Sequence, residues 1–174
     1  PDVYSDERGY FFESFLENIF NKKFPNINFC QENESKSSFG VLRGLHYQLP
    51  PYAQTKLVRV IKGKVLDIAV DVRAGSPTFG KFVEVELSEN NKKQLLIPRG
   101  FAHGFVTLSS EAILSYKVDN YYSSHFERGI AYDDEDIGIN WKLNPCDLKL
   151  SLKDSKHPNL KFAEQFDYTK KLYE

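Results

Sequence analysis

Apolar and polar side chains alternate at every second position along much of the chain from residue 39 to about residue 119. The clearest examples are LDIAVDV (66–72) and VEVEL (83–87). Because successive side chains of a strand point to opposite faces, this period predicts β-strands. Turn residues lie between the strands, as in PP (50–51), KGK (62–64) and PRG (98–100), and successive turns are about ten residues or more apart. Many short strands without intervening helices are typical of an antiparallel sandwich or barrel of the jelly-roll kind.

The whole chain is predicted to form one domain. Its 174 residues are enough for one ordinary domain and too few for two, and no repeat or linker divides residues 1–174. Apolar residues at helical spacing in FESFLENIF (12–20) predict a short helix that ends before Pro25. The segment HPNLKFAEQFDYTKKLY (157–173) is predicted to be partly helical and to pack on the outside of the domain.

Composition and charge exclude several classes of partner. The 23 Lys and Arg nearly balance 24 Asp and Glu, so the net charge of -1 offers no overall basic surface for nucleic acid. No apolar run approaches the ~20 residues of a membrane span, and the chain does not begin like a signal peptide. Cys30 and Cys146 have no metal-type spacing and are expected to be reduced thiols. We therefore expect a soluble, cytoplasmic protein, and the absence of Met suggests that further residues precede Pro1.

Polar residues on the inward faces of the strands are the candidates for chemistry, because a barrel of this size holds one small ligand. Alternation places His46 on a face with Leu42 and Gly44, and it places Tyr116 and Lys56 on apolar faces of two other strands. Each residue also has an ordinary structural interpretation. These are a core or surface histidine, a core tyrosine bonded to the backbone, and a solvated lysine at a strand end.

A second histidine is predicted to face inward. PRGFAHGF (98–105) turns at its start and then places His103 on one face with Phe101 and Phe105. A metal bound by His46 and His103 would need a third and usually a fourth ligand close by. The residue two positions after His46 is Gln48, where such a site would have another histidine, so no metal is expected.

Segments along nearly the whole chain closely resemble the dTDP-4-dehydrorhamnose 3,5-epimerase family. The most specific are RGLHYQ (43–48) and IPRGFAHGF (97–105), with DERGYFFESF (6–15) and LSLKD (150–154) in the same order as in the family. The PxGxxH pattern that ends at His103 is also similar to the second motif of the cupin superfamily. This resemblance implies an all-β, cupin-type double-stranded β-helix, or jelly roll, with a few short peripheral helices.

The resemblance also implies an activity. The family inverts C3 and C5 of dTDP-4-dehydro-6-deoxy-D-glucose without a cofactor, on the way to dTDP-L-rhamnose for surface polysaccharides. Both carbons lie next to the C4 ketone, so loss of either proton gives an enolate. His46 matches the family's base, and Asp154 matches the carboxylate that orients it and raises its basicity. Lys56 matches the residue beside the developing oxyanion, and Tyr116 matches the acid on the opposite face.

Further matches imply a substrate site and a homodimer that exchanges strands between its subunits. Positions that hold the nucleotide diphosphate, or that lie near the family's site, correspond to Arg8, Glu13, Gln31, Asn33, Arg43, His103 and Tyr121. Arginine suits phosphate because its guanidinium forks onto two oxygens. Simple alternation places Arg43 on the face opposite His46. Either Gly44 bulges the strand, or the two residues line different parts of the site.

Three other functions remain to be compared with this one. An epimerase acting only at C3 or only at C5 of a related nucleotide sugar would use the same base, oxyanion donor and acid. A cupin-type sugar-binding module would not need His46, Lys56, Tyr116 and Asp154 together. A metal-dependent cupin oxygenase is disfavoured by Gln48.

Overall fold

The computed structural model describes residues 1–173, and its regular structure is mostly β. Within this range there is one α-helix, α1 (Glu17–Lys23), with three 3-10 helices at Pro145–Asp147, Asp154–Lys156 and Leu160–Phe162. The strands are β1 (Tyr4–Asp6), β2 (Gly9–Phe11), β3 (Gln31–Ser38), β4 (Leu42–Gln48), β5 (Lys56–Lys62), β6 (Lys64–Asp71), β7 (Arg73–Ala74), β8 (Phe82–Ser88), β9 (Gln94–Ile97), β10 (Phe101–Thr107), β11 (Glu111–Val118), β12 (Glu127–Gly129) and β13 (Phe166–Asp167).

Two antiparallel sheets make up the body of the fold. The larger sheet has the order β12-β4-β10-β6-β8, and the smaller one has the order β3-β11-β5-β9. Hydrogen-bonded neighbours come from distant parts of the chain, as expected for a jelly roll. The predicted all-β cupin-type fold is therefore confirmed. In the part of the chain that the structure describes, no helix is long and apolar enough to cross a membrane.

Strand β6 is buried on both faces because apolar groups cover each side of the larger sheet. Leu66, Ile68 and Val70 belong to an outer core, which the C-terminal segment covers with residues such as Leu160 and Phe166. The alternate residues Val65 and Ala69 belong to an inner core shared with β5, β10 and β11. The intervening carboxylate of Asp67 therefore points into the interior of the protein, where it is fully buried.

The predicted helix is correct at its end and wrong at its beginning. It ends at Lys23, before Pro25, but it begins only at Glu17, so residues 12–16 lie outside it. Part of the apolar pattern there comes from an aromatic cluster in which the Phe15 ring lies 5.5 Å from that of Phe20 and 5.6 Å from that of Phe29. The C-terminal segment packs outside the sheet as predicted, and its helical part is the single 3-10 helix Leu160–Phe162, followed by β13.

A bulge in β4 decides between the two alternatives for Arg43. His46 lies opposite His103 and Arg43 lies opposite Phe105, so three steps along β4 face two steps along β10. Gly44 has φ +117, and a Cβ there would lie 2.6 Å from the Cα of Gly104. Arg43 and His46 therefore share the inner face. The prediction that Leu42 shares this face was wrong, since the bulge places Leu42 in the outer core.

Candidate active site

A cavity of about 310 Å³ opens at one end of the barrel between the two sheets. It receives side chains from both sheets and from the loops at this end. The lining residues are Gln31, Asn33, His46, Tyr47, Gln48, Gln54, Lys56, Tyr116, Tyr122 and Glu127. The structure thus brings five of the residues predicted from sequence around one space: His46, Lys56, Tyr116, Gln31 and Asn33.

His46 is paired with a buried carboxylate behind the cavity wall. Its Nε2 lies 2.6 Å from Oδ1 of Asp154, and Asp154 is only 5% exposed. Burial alone would raise the pKa of Asp154. The imidazoles of His157 and His46 outweigh that effect and hold this pKa well below its usual range. Because the carboxylate is ionised, His46 donates Nε2–H to it and keeps the lone pair on Nδ1.

The pKa of His46 is lowered from its usual value. Burial is the main cause, and the positive charge of Lys56 acts in the same direction. Asp154 and Glu127 raise the pKa, as the sequence predicted for Asp154, but they do not overcome burial. The imidazole is therefore neutral at neutral pH and available as a proton acceptor.

Lys56 provides a positive charge inside the same cavity. Burial lowers its pKa to about 8, while the carboxylates of Asp67 and Glu127 act against this shift. The side chain is therefore still mainly an ammonium group at pH 7. A desolvated cation of this kind is well suited to stabilising an oxyanion, because little water competes for it.

Tyr116 approaches the cavity from the sheet opposite His46. Tyr116 lies on β11 of the smaller sheet, whereas His46 lies on β4 of the larger one. Burial raises the pKa of Tyr116, while a hydrogen bond with Asn33 and the charge of Arg43 partly offset that rise. The hydroxyl therefore keeps its proton at neutral pH and faces the cavity from the side opposite the imidazole.

His103 is a neighbour of the cavity and does not line it. It lies opposite His46 on the adjacent strand, and its Nε2 is 2.9 Å and 3.0 Å from the two oxygens of Asp67. Both residues are buried. Since Asp67 also helps to keep Lys56 charged, His103 is linked to the cavity through that carboxylate.

Three other predicted residues lie on the surface of the protein, away from the cavity. Arg8 is exposed on the β1–β2 hairpin, where its Nη2 lies 2.5 Å from Asp6 Oδ2. Glu13 borders a surface groove beside α1. Tyr121 is 61% exposed, and its neighbour Tyr122 lines the cavity instead.

Arg43 lies between these two groups of predicted residues. Its side chain is largely exposed, with Nε donating to Ser37 Oγ at 3.0 Å. Its positive charge nevertheless acts to lower the pKa of Tyr116.

Sequence reasoning missed cavity residues that lie in loops or in a very short strand, namely Gln54, Tyr122 and Glu127. Glu127 begins the three-residue β12, too short for a period to be visible, and pairs with Gln48 of β4. Its Oε2 accepts a hydrogen bond from the hydroxyl of Tyr122 at 2.7 Å. The same oxygen forms an ion pair with Lys153 Nζ at 2.5 Å. Asp67 could have been found, since its alternation with the outer-core residues of β6 places it inward.

The polar groups of the site are arranged for proton transfer. His46, Asp154 and His157 bring donor atoms within 4.8 Å of one another in the described part of the chain. Within this cluster, His46 Nε2 and Asp154 Oδ1 form a hydrogen-bonded pair at 2.6 Å. Gln48, at the position where a metal site would have another histidine, donates Nε2–H to the carbonyl of Tyr52 at 2.7 Å.

The fold and site together define a cupin-type β protein with a histidine–carboxylate pair at a cavity inside its barrel. The comparisons identify the family. The sequence model of the dTDP-4-dehydrorhamnose 3,5-epimerase family matches residues 1–162, and the chain belongs to this family.

Relatives resemble the chain over most of its length. It is 53% identical over 168 residues to a dTDP-4-dehydrorhamnose 3,5-epimerase of Shigella flexneri, covering 95% of this chain and 91% of the relative. A Legionella pneumophila 3,5-epimerase in complex with dTDP-4-keto-L-rhamnose superimposes with a TM-score of 0.93 at 44% identity, covering 98% and 92% of the two chains. A 3'-monoepimerase of Streptomyces bikiniensis in complex with dTDP-quinovose has a TM-score of 0.85 at 33% identity, covering 92% and 81%.

Proposed function

We propose that this protein inverts C3 and C5 of dTDP-4-dehydro-6-deoxy-D-glucose to give dTDP-4-dehydro-L-rhamnose. One observation carries this proposal: a neutral histidine and a protonated tyrosine face one cavity from opposite sheets, with an ammonium group beside them. Epimerisation next to a ketone needs this arrangement, because the proton leaves one face of the carbon and returns on the other. Family membership and the high identity to named 3,5-epimerases support the assignment.

In the first step, His46 Nδ1 removes the proton from C3 or C5. The electron pair of the C–H bond moves toward the C4 carbonyl, whose oxygen becomes an enolate. Lys56 stabilises the new negative charge, and Asp154 stabilises the imidazolium through Nε2–H. Because the groups are held in place before reaction, little reorganisation is needed as the charge forms.

In the second step, Tyr116 donates its hydroxyl proton to the same carbon from the opposite face. The enolate electrons re-form the ketone and the new C–H bond, which inverts the centre. The tyrosinate regains a proton from solvent, and His46 releases the proton it took. The same groups serve the second carbon once the sugar ring has turned in the cavity, and no cofactor takes part.

We assign the nucleotide to the side of the cavity lined by Gln31 and Asn33 of β3, the strand whose Ser37 accepts a hydrogen bond from Arg43. A guanidinium at this position suits a diphosphate, because it makes paired, charge-assisted hydrogen bonds with phosphate oxygens. Tyr121 is exposed beside Tyr122 and is proposed to contact the substrate at the rim. His103 is assigned a supporting role through Asp67.

Arg8 lies away from the cavity of its own chain, so we assign it to the cavity of a second copy in a homodimer. The β1–β2 hairpin that carries it exposes Tyr4, Tyr10 and Phe11 by 65%, 59% and 67%. Packing against a partner would bury this apolar surface. Glu13, in the neighbouring groove, would lie in the same interface. Light scattering should give the mass of a dimer, whereas a monomer at assay concentration would contradict this assignment.

The cytoplasm is the proposed location. Both cysteines are free and exposed, which fits a reducing compartment. The substrate class, a nucleotide-linked sugar, fits the same assignment.

A mono-epimerase is the second candidate, supported by the similarity to the Streptomyces bikiniensis 3'-monoepimerase. The two activities share their chemistry and differ in the product. The higher identity to the 3,5-epimerases favours double inversion.

Product analysis tests the proposal. The protein is incubated with dTDP-4-dehydro-6-deoxy-D-glucose, and the ketone is trapped by chemical reduction before NMR. Double inversion predicts products inverted at both C3 and C5, and these should be absent with His46→Asn, a variant of similar size. A product inverted at one carbon would favour the mono-epimerase, and unchanged substrate would contradict both.

A further inference from the structure

His157 is a largely buried histidine beside the proposed base. Its side chain is 11% exposed, and its ring lies edge-on to the ring of His46 with centroids 5.4 Å apart. It does not line the cavity. His157 therefore contacts His46 but is not placed to touch a substrate in the cavity.

The Nε2 atom of His157 is aimed at an oxygen that is already in use. It lies 3.6 Å from Oδ1 of Asp154, the same atom that His46 contacts at 2.6 Å. This distance is too long for an ordinary hydrogen bond, and Nε2 is buried without another partner. Because Asp154 is ionised, the N–H form of this nitrogen is favoured toward it. An unpaired buried donor beside a reacting group is a feature that calls for a functional explanation.

The backbone leaves a space that this ring fills. Gly129 pairs with His46 in the β12–β4 ladder. A Cβ on Gly129 would lie 2.5 Å from Cε1 and Nε2 of His157. The imidazole is thus held between β12, the His46 ring and the carboxylate.

We propose that His157 is a positioning residue for His46. It holds Asp154 Oδ1 in line with the His46 imidazole and interacts with the negative charge of that carboxylate. This inference rests on the proposed function in one respect, namely that His46 is the base. With two N–H groups directed at one oxygen, less of its charge is available to the His46 imidazolium. Losing His157 should therefore strengthen the Asp154–His46 interaction and make His46 easier to protonate.

Other charges near His46 stay in place when His157 is replaced. They are Lys56 on β5, which lowers its pKa, and Asp154 and Glu127, which raise it. Glu127 is anchored separately by Lys153. A change in the titration of His46 can therefore be traced to the shared carboxylate.

The test is an NMR titration of the four histidines in the ligand-free protein, with each imidazole assigned from a variant that lacks it. His157→Ala should raise the titration midpoint of His46 by up to about 0.5 pH unit, since a full neutral hydrogen bond is worth about one unit at most and this contact is longer than one. His157→Gln keeps an N–H donor near the same point and should show a smaller shift. His125→Ala, which removes an exposed histidine packed on Phe126, is the matched control and should show none.

Kinetics provide the second measurement. In His157→Ala, the acidic limb of kcat should move to higher pH with the midpoint, since a base works only when unprotonated. The plateau of kcat should fall by up to about tenfold while KM stays constant. If the protein has no epimerase activity at all, the proposed function fails, and the titration without substrate still tests the coupling.

A double-mutant cycle separates positioning from simple packing. In an Asp154→Asn background, His157→Ala should no longer shift the His46 midpoint, because the carboxylate that links them is gone. An unchanged midpoint in folded His157→Ala and His157→Gln would overturn the inference. A shift that persists in the Asp154→Asn background would also overturn it, because His157 would then act on His46 directly.

Discussion

Replacing Asp67 with Asn should move the alkaline end of the pH–rate profile to lower pH. Lys56 has a pKa of about 8 because burial lowers it, and Asp67 is the leading carboxylate that opposes the shift. Asparagine has nearly the same volume and still offers Oδ1 to His103 Nε2. The substitution therefore removes one negative charge while preserving the packing.

The expected size follows from the electrostatics of the site. A nearby opposite charge changes a pKa by about 1–3 units, and we take about 1 unit, which lowers the pKa of Lys56 from about 8 to about 7. A lysine is charged below its pKa, so a rate that needs the ammonium group falls as pH rises through that value. At pH 8, about half of the wild-type lysines are charged, against roughly a tenth in the variant. The rate at pH 8, relative to the plateau, should then be about fivefold lower.

The assay is kcat/KM measured between about pH 5.5 and 9.5, with product quantified after reduction. Glu127→Gln should shift the alkaline limb in the same direction, because Glu127 also raises the pKa of Lys56. Asp136→Asn, at an exposed position, is the matched control and should leave the limb in place. A folded Asp67→Asn variant with an unmoved limb would refute the reasoning, because Lys56 would then not be the group that titrates.

Three further outcomes are expected. Asp154→Asn should lower kcat by less than the ~10²–10⁴-fold loss expected from His46→Asn. It should also move the acidic limb of the pH–rate profile to lower pH, because the neutral amide no longer raises the pKa of His46. An unmoved acidic limb would contradict this. Tyr116→Phe should slow product formation by roughly 10²-fold while NMR in deuterated buffer still shows label entering recovered substrate; a parallel loss of exchange and product would mean that Tyr116 acts during enolisation. Gly44→Ala should lower the free energy of unfolding by about 2 kcal/mol or more in a urea titration, because its Cβ would meet Gly104 at 2.6 Å; a change under about 0.5 kcal/mol would show that the bulge adapts.

Alternation predicted the strands well because each strand of a jelly roll has two distinct environments. It was sufficient to place Tyr116 and Lys56 inward from their own segments. It failed at β4, where one extra residue at Gly44 reverses the direction of every side chain before it. The sequence shows a glycine there, but not which of the possible glycine conformations it adopts.

Residues that meet the cavity from irregular segments were accessible only through the resemblance or not at all. Asp154 begins a 3-10 helix 108 residues after His46, and no local pattern predicts that the two meet. For His157, the sequence predicts only a C-terminal segment that packs outside the sheet. Its role depends on the space above Gly129, which is a property of tertiary packing.

The hairpin of β1 and β2 shows a different limit. The resemblance predicted that Arg8 holds the nucleotide, yet within one chain Arg8 pairs with Asp6 on the surface. A residue supplied across an interface leaves no trace in the periodicity of its own chain. The exposed aromatic residues beside it carry the argument for a partner.

Solvent deuterium incorporation tests the central claim, enolisation at both carbons next to the ketone, most directly. The wild-type protein is incubated with dTDP-4-dehydro-6-deoxy-D-glucose in deuterated buffer, and the product is examined by NMR and mass spectrometry. The account predicts deuterium at both C3 and C5 of the L-configured product, and none at either carbon of substrate recovered from His46→Asn. A product inverted at both carbons without solvent deuterium would contradict it.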